Sequence, residues 1–305
     1  MREASSSVVL ERARGHQRDL GDGFMVSRVL PAAHQHAVGP FVFMDHLGPV
    51  DMPPGQAFDV RPHPHIGLAT VTYVWEGRIE HRDGLGHVQL IEPGAVNWMT
   101  AGGGIVHSER TPADDRERQR RMHGLQLWVA LPLDQEQGRA AFEHTDAGAL
   151  PELALDGISG RLVAGTAYGQ RSPVGVSSPL FYVDAYVPRG QALPLPDEHQ
   201  QRAAYVVAGA MRVGDETLAP GELVSFVPGA TLSLLAEVDT HVVLIGGAPL
   251  DAPRYIWWNF VASSETLLEE ARQAWLAQRY PMVAGDPEFI PLPEHRRAAF
   301  RVSAD

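Results

Sequence analysis

Pro62-His-Pro-His-Ile-Gly67 and Ile105-Val-His-Ser-Glu109 are the two stretches that decide the fold. In each, two ligand-type residues stand two apart: His63 with His65, and His107 with Glu109. Successive side chains of an extended strand alternate between faces, so each pair projects from one face. Working outward, the runs near Ala69 to Trp75, Arg78 to Arg82, His87 to Ile91, Asn97 to Thr100 and Ile105 to Glu109 read as strands. Gly77, Asp83-Gly84 and Pro93-Gly94 punctuate them as turns, because glycine supplies positive φ and proline presets φ. A handful of such strands is enough to roll the chain into a small barrel and bring the two pairs together inside it. Four polar side chains facing inward are costly to bury unless they share a partner, and a metal ion is such a partner. Three imidazoles and one carboxylate suit iron, manganese, nickel or copper, and zinc also fits the set.

Composition narrows the chemistry. A chain of 305 residues is long enough for two domains with proper cores. The absence of cysteine removes disulfides, thiolate nucleophiles and Cys-based zinc or iron–sulfur motifs. All 25 basic residues are arginine, so a Schiff-base lysine and a P-loop are excluded as well. A net charge of −12 opposes direct binding to nucleic acid, whose affinity for proteins comes from basic groups displacing counterions. No stretch approaches the ~20 apolar residues of a membrane span. The N-terminus, with Arg2, Glu3, Glu11 and Arg12, lacks the apolar core of a signal peptide, so a cytoplasmic protein without membrane contact is expected.

The second half repeats the grammar of the first. Tyr205-Val-Val-Ala-Gly209 resembles Tyr73-Val-Trp-Glu-Gly77, and Pro220-Gly221 echoes Pro93-Gly94, which indicates an internal duplication. The expected class is all-β, two barrels with a short C-terminal helix: a metal-binding barrel over 1–133 and a second barrel without metal over 134–305. In the second half Leu195 and Asp197 stand where His63 and His65 do, with only His199 and His241 nearby, so no metal is expected there. Leu125 to Leu131 reads as a buried strand, and Gly138 to Pro179 as a loop-rich stretch that includes the crossover between the halves. A helix from about Ser264 to Tyr280 has a serine cap and Leu267, Ala271, Ala274 and Trp275 at helical spacing, and is expected to pack on the second barrel. His34-Gln-His36 reads as solvated loop in preference to a second metal site, and Asp45 and His46 as turn-stabilising residues in preference to pocket residues. Gly102-Gly-Gly104 reads as a close backbone approach beside the metal strand.

Gly39-Pro-Phe-Val-Phe-Met-Asp-His-Leu-Gly-Pro49, the His-Pro-His-Ile-Gly block, His81-Arg-Asp83, Trp98-Met-Thr-Ala-Gly102, His107-Ser-Glu-Arg-Thr-Pro112, Gly124-Leu-Gln-Leu-Trp128 and Glu288-Phe-Ile-Pro-Leu-Pro293 together resemble the pirin family of the cupin superfamily. The resemblance implies two cupin (jelly-roll) barrels, with one divalent ion, Fe2+, held in the first by His63, His65, His107 and Glu109. Two positions depart from the family pattern: Ile66-Gly-Leu-Ala-Thr70 replaces Arg-Gly-Phe-Glu-Thr, and Asn97 stands where glutamine is common. The family implies a quercetinase-type dioxygenase acting on an aromatic small molecule, with Glu109 as ligand and base and Phe41, Phe43, Trp98 and Met99 as candidates for the pocket wall. The alternative it implies is an iron-dependent redox sensor that binds a transcription factor or metabolic enzyme. A monomer is expected.

Overall fold

Short runs of β-branched and aromatic residues between glycine and proline turns pair as antiparallel strands in this computed structural model, which describes residues 7–19, 24–294 and 298–304. Arg2 and Glu3 lie outside these residues. The protein is all-β: among the described residues its regular elements are strands apart from one α-helix, Glu265–Leu276, and two short 3-10 turns. The five strands expected between Leu68 and Arg110 occur at Leu68–Glu76, Ile79–Asp83, Val88–Ile91, Val96–Thr100 and Ile105–Arg110.

The chain forms two compact units, each a cupin barrel, and neither is a continuous stretch. Among the described residues, the first contains those of His16–Arg28, Val42–Ala149 and Leu250–Asp305, and the second those of Met1–Gly15, Val29–Phe41 and Leu150–Pro249. A single cut near 133 therefore does not describe them. The opening strand Val9–Arg14 pairs with Glu222–Phe226 in the second unit. The closing segment belongs to the first.

In the first unit, a seven-stranded sheet runs in the order Ala141–Thr145, Val96–Thr100, Leu68–Glu76, Arg120–Ala130, Phe41–Met52, Met25–Leu30, His16–Asp19. A four-stranded sheet, in the order Val60–His65, Ile105–Arg110, Ile79–Asp83, Val88–Ile91, carries the two ligand stretches side by side. The apolar end of this barrel is filled by Phe24, Val26, Leu47, Met52, Phe58, Val74, Ile79, Ile91 and Met122.

The second unit repeats the plan with a seven-stranded and a four-stranded sheet around a larger apolar core that includes Leu162, Phe181, Val206, Val224 and Leu244. Leu195 joins that core. His199 faces Thr166, and His241 lies 2.6 Å from Asp184. The fully buried Arg202 points its guanidinium at the carbonyls of Pro196, Val227 and Ala230.

Three expectations change. The helix packs on the first unit, not the second: Leu268, Ala271 and Trp275 bury against Ile66, Val106 and Phe260. Its apolar face was legible, but periodicity does not say which surface that face covers. Ser264 caps it as expected, accepting from the Leu267 N–H, yet the helix ends at Leu276, short of Tyr280. The stretch 138–179 is loop-rich, as expected, and its loops connect the strands Ala141–Thr145, Ser159–Ala167 and Gln170–Arg171. Gly160 and Gly165 sit within Ser159–Ala167 at positive φ, and its pairing slips between Leu162 and Ala164, so the glycines mark strand irregularities and not turns. Asp45 and His46 lie in the strand Phe41–Met52, not a turn.

Candidate metal centre

The strands Val60–His65 and Ile105–Arg110 pair antiparallel with His107 opposite His63, and the pairing slips between His107 and Glu109. This register places three imidazoles together. One ring nitrogen from each of His63, His65 and His107 lies within 4.8 Å of the others, and all three residues are buried. Nε2 of His65 and Nε2 of His107 are 3.1 Å apart. On two rings the other nitrogen is tied to a backbone carbonyl: His63 Nδ1 to Arg61 at 2.9 Å and His65 Nδ1 to Asn259 at 3.0 Å. A ring that donates from Nδ1 carries its lone pair on Nε2, so these rings turn bare lone pairs toward the shared space.

Burial lowers all three histidines below their ordinary range, His63 to about 4 and His65 and His107 well below it too. They are neutral at pH 7, the form that ligates metal. Two ligands about 2.1 Å from one ion and at right angles to each other lie about 3 Å apart, which is the His65–His107 separation. Two bare nitrogens at that distance repel unless a cation sits between them or one ring donates its N–H to the other. The residues present therefore fit a first-row metal ion, and the centre is one that could hold it.

Glu109 is also buried, but lies outside that group of three. Its carboxylate accepts from Gln126 Nε2 at 2.8 Å and from Thr72 Oγ1 at 3.3 Å. Burial raises its pKa above the usual carboxylate range, against the lowering pull of Gln126, the nearby His81 and Thr72. Ala69 alternates with Thr70 and Thr72, so it faces away from Glu109.

Aromatic rings flank the histidines. Trp128 meets His65 edge-on with centroids 5.2 Å apart and stacks on Phe43 at 3.9 Å and 11°. Arg28 lies 4.4 Å above the other residue of that stack, Phe43, and is held by Asp45 through two hydrogen bonds of 2.8 Å. Of the other wall candidates, Met99 packs with Ala101, Ile105 and Phe142. Trp98 alternates with Met99 and faces the opposite side of its strand, and Phe41 is buried. Asn97 binds His144, with Oδ1 2.7 Å from Nδ1. His34 is exposed, and His36 contacts the Ala33 carbonyl at 3.3 Å. His46 instead faces His123, Nε2 to Nε2 at 2.9 Å. Gly102 abuts the Gly138 carbonyl so closely that a Cβ would collide with it, so the three-glycine stretch is a close backbone approach as expected.

Trp128, Gln126, Thr72 and the Asn259 carbonyl were not singled out from sequence. Alternation within Gly124-Leu-Gln-Leu-Trp128 carries the signal for two of them, since it puts Gln126 and Trp128 on one face. The Asn259 carbonyl comes from 194 positions away and leaves no local trace.

Comparison with known proteins agrees with this architecture. Residues 23–129 match the sequence model for Pirin, and residues 182–281 that for the Pirin C-terminal cupin domain. A "Pirin-like protein" of Caulobacter vibrioides is 47% identical over 282 residues, covering 91% of this chain and 97% of that one. A Pseudomonas aeruginosa protein that carries the provisional name quercetin 2,3-dioxygenase is 38% identical, over 88% of this chain and 84% of its own length. The crystal structure of a quercetin 2,3-dioxygenase from Acinetobacter baumannii superposes with a TM-score of 0.85 at 34% identity, covering 95% of this chain and 98% of that chain. With both barrels matched along most of their length, the chain belongs to the pirin family.

Proposed function

We propose that the protein is a metal-dependent dioxygenase of quercetinase type, acting on a flavonol-like aromatic molecule, with His63, His65, His107 and Glu109 holding one divalent ion, Fe2+ in preference to Mn, Ni, Cu or Zn. The observation that carries this reading is the set of three buried, neutral imidazoles whose ring nitrogens lie within 4.8 Å of one another beside the stacked Trp128 and Phe43. Relatives named for quercetin 2,3-dioxygenase support the same chemistry.

A bound redox-active ion would supply activation of dioxygen and polarisation of the substrate hydroxyl. The protein's own groups do the rest. Trp128, stacked on Phe43 and edge-on to His65, is the aromatic side chain this reading assigns to a planar ring system. Glu109, with its raised pKa, is suited to take the proton that a flavonol hydroxyl must give up. Gln126 and Thr72 hold that carboxylate in place as it gains the proton.

The test is reconstitution under anaerobic conditions with each metal, followed by quercetin and isotopically labelled dioxygen. The expected result is dioxygen uptake with both labelled atoms in the cleaved product. Absence of uptake with every metal would overturn the enzymatic reading.

A further inference from the structure

Two of the three histidines have their Nδ1 fixed by a main-chain carbonyl, and His107 does not. Its Nδ1 faces another imidazole, Nδ1 of His81, at 3.4 Å. Nε2 of His81 in turn lies 3.2 Å from Oδ2 of the buried Asp83, and Asp83 also faces Nδ1 of His87 at 2.9 Å. Asp83 receives two main-chain donors besides, the N–H groups of Leu85 at 2.9 Å and His87 at 3.0 Å. Phe142 stacks on the His81 ring at 4.4 Å and 15°, which holds its plane. The strand Ile79–Asp83 runs beside Ile105–Arg110, with His107 opposite Asp83 and Glu109 opposite His81.

The proton positions along this chain follow from its end. An ionised Asp83 can only accept, so His81 donates from Nε2 and keeps its lone pair on Nδ1. That lone pair can only be satisfied by a proton on Nδ1 of His107. Nε2 of His107 is then left bare, facing Nε2 of His65. From Asp83 each link has one consistent direction as far as His107, where Nε2 of His65 is a rival acceptor; a cation shared by the two Nε2 atoms removes that rival and leaves the tautomer that metal ligation needs.

We propose that His81 and Asp83 are positioning residues for the metal centre: Asp83 orients His81, and His81 fixes His107 as the Nδ1–H tautomer, doing for this ligand what carbonyls do for His63 and His65. Asp83 also makes the His107 nitrogen a stronger donor, because a carboxylate at the end of the chain draws the ring proton toward it. The inference rests on the metal-binding reading of the three histidines, but the tautomer can be read in the metal-free protein, where His81 and His65 compete for the single His107 proton.

Two measurements separate the possibilities. Long-range 1H–15N NMR of the metal-free protein reads the His107 tautomer directly, and Co2+ titration against a competing chelator reads affinity and the cobalt absorption spectrum. Wild type is expected to show His107 protonated at Nδ1. In His81→Phe, where an aromatic ring still stacks on Phe142 but offers no acceptor, His107 should become a tautomer mixture, with Co2+ affinity about tenfold to a hundredfold weaker. His81→Gln restores an acceptor and should recover most of both signals. Asp83→Asn should disturb both, since its amide must turn a donor toward donors already gathered there. An unchanged His107 tautomer and wild-type affinity in His81→Phe and Asp83→Asn would overturn the proposal; if His81→Phe does not fold, His81→Gln and Asp83→Asn still decide it. Wild-type protein that binds no Co2+ yet shows the Nδ1–H tautomer would refute the metal reading while leaving the relay intact.

Discussion

Arg110 grips Asp286 through three hydrogen bonds, Nε to Oδ2 at 3.0 Å and Nη2 to Oδ1 at 2.7 Å and to Oδ2 at 2.8 Å, one residue along the strand from Glu109. Nη2 also reaches Glu288 at 2.7 Å, and the Ile290 N–H donates to the carbonyl of Pro62, next to His63. The tail is thus fastened to both ligand strands of the first barrel. Removing the guanidinium leaves a mostly buried carboxylate without its partner, so Arg110→Ala should cost about 2 kcal/mol of stability. Limited proteolysis should then cut within 286–294 faster than in wild type. Unchanged melting and unchanged protection would show that the pair is fully solvated in solution.

One metal ion per chain is expected, lost when His65→Ala and His107→Ala are combined. Elemental mass spectrometry of purified protein measures it, and two ions per chain would refute it. Glu109→Gln should weaken metal binding less than His107→Ala. An amide oxygen can still coordinate, and Glu109 sits apart from the three-histidine group with bonds to Gln126 and Thr72. Equal losses would make the carboxylate the anchor of the centre.

The stability of the metal-free protein should fall on acidification through the histidine range. His63 drops from its ordinary 6.5 to about 4 in the folded state, so the unfolded chain takes up its proton first as the pH falls. Its contribution is whole above pH 6.5, shrinks between 6.5 and 4, and is exhausted below that, about 3 kcal/mol in all. His65 and His107 act in the same direction. Glu109 opposes them, because its raised pKa makes the folded state the one that binds a proton first. Three groups against one leave a net loss. Denaturant unfolding in chelator between pH 8 and 4 measures it, and a flat profile would mean that the imidazoles are hydrated.

Trp128→Ala should raise the KM for a flavonol about tenfold, the value of one good aromatic stack. Its Co2+ affinity should stay near wild type, because Trp128 meets His65 only ring to edge, at 5.2 Å between centroids. Loss of metal in this variant would make the ring a support of the centre and not a substrate wall.

The strands of the first barrel were legible because their spacing is local: each turn residue sits within a few positions of the strand it ends, and alternation assigns His63 and His65 to one face. The His107–Glu109 pair read equally well as a motif, yet the sequence could not show that the pairing slips between them and sets Glu109 apart from the three rings. Nor could it show the surface under Trp275, since a helix pattern names an apolar face without naming its cover. His81 and Asp83 stood in a recognised motif, but their bearing on His107 follows only from strand register.

Because Asn259 supplies the carbonyl that orients His65, and Arg110 waits for Asp286, the first barrel emerges from the ribosome unfinished. Roughly half the chain must still be translated before its ligands are locked. Any metal loading would then have to await translation past Asp286, and a product terminated before Asn259 would present loose imidazoles in place of an assembled centre.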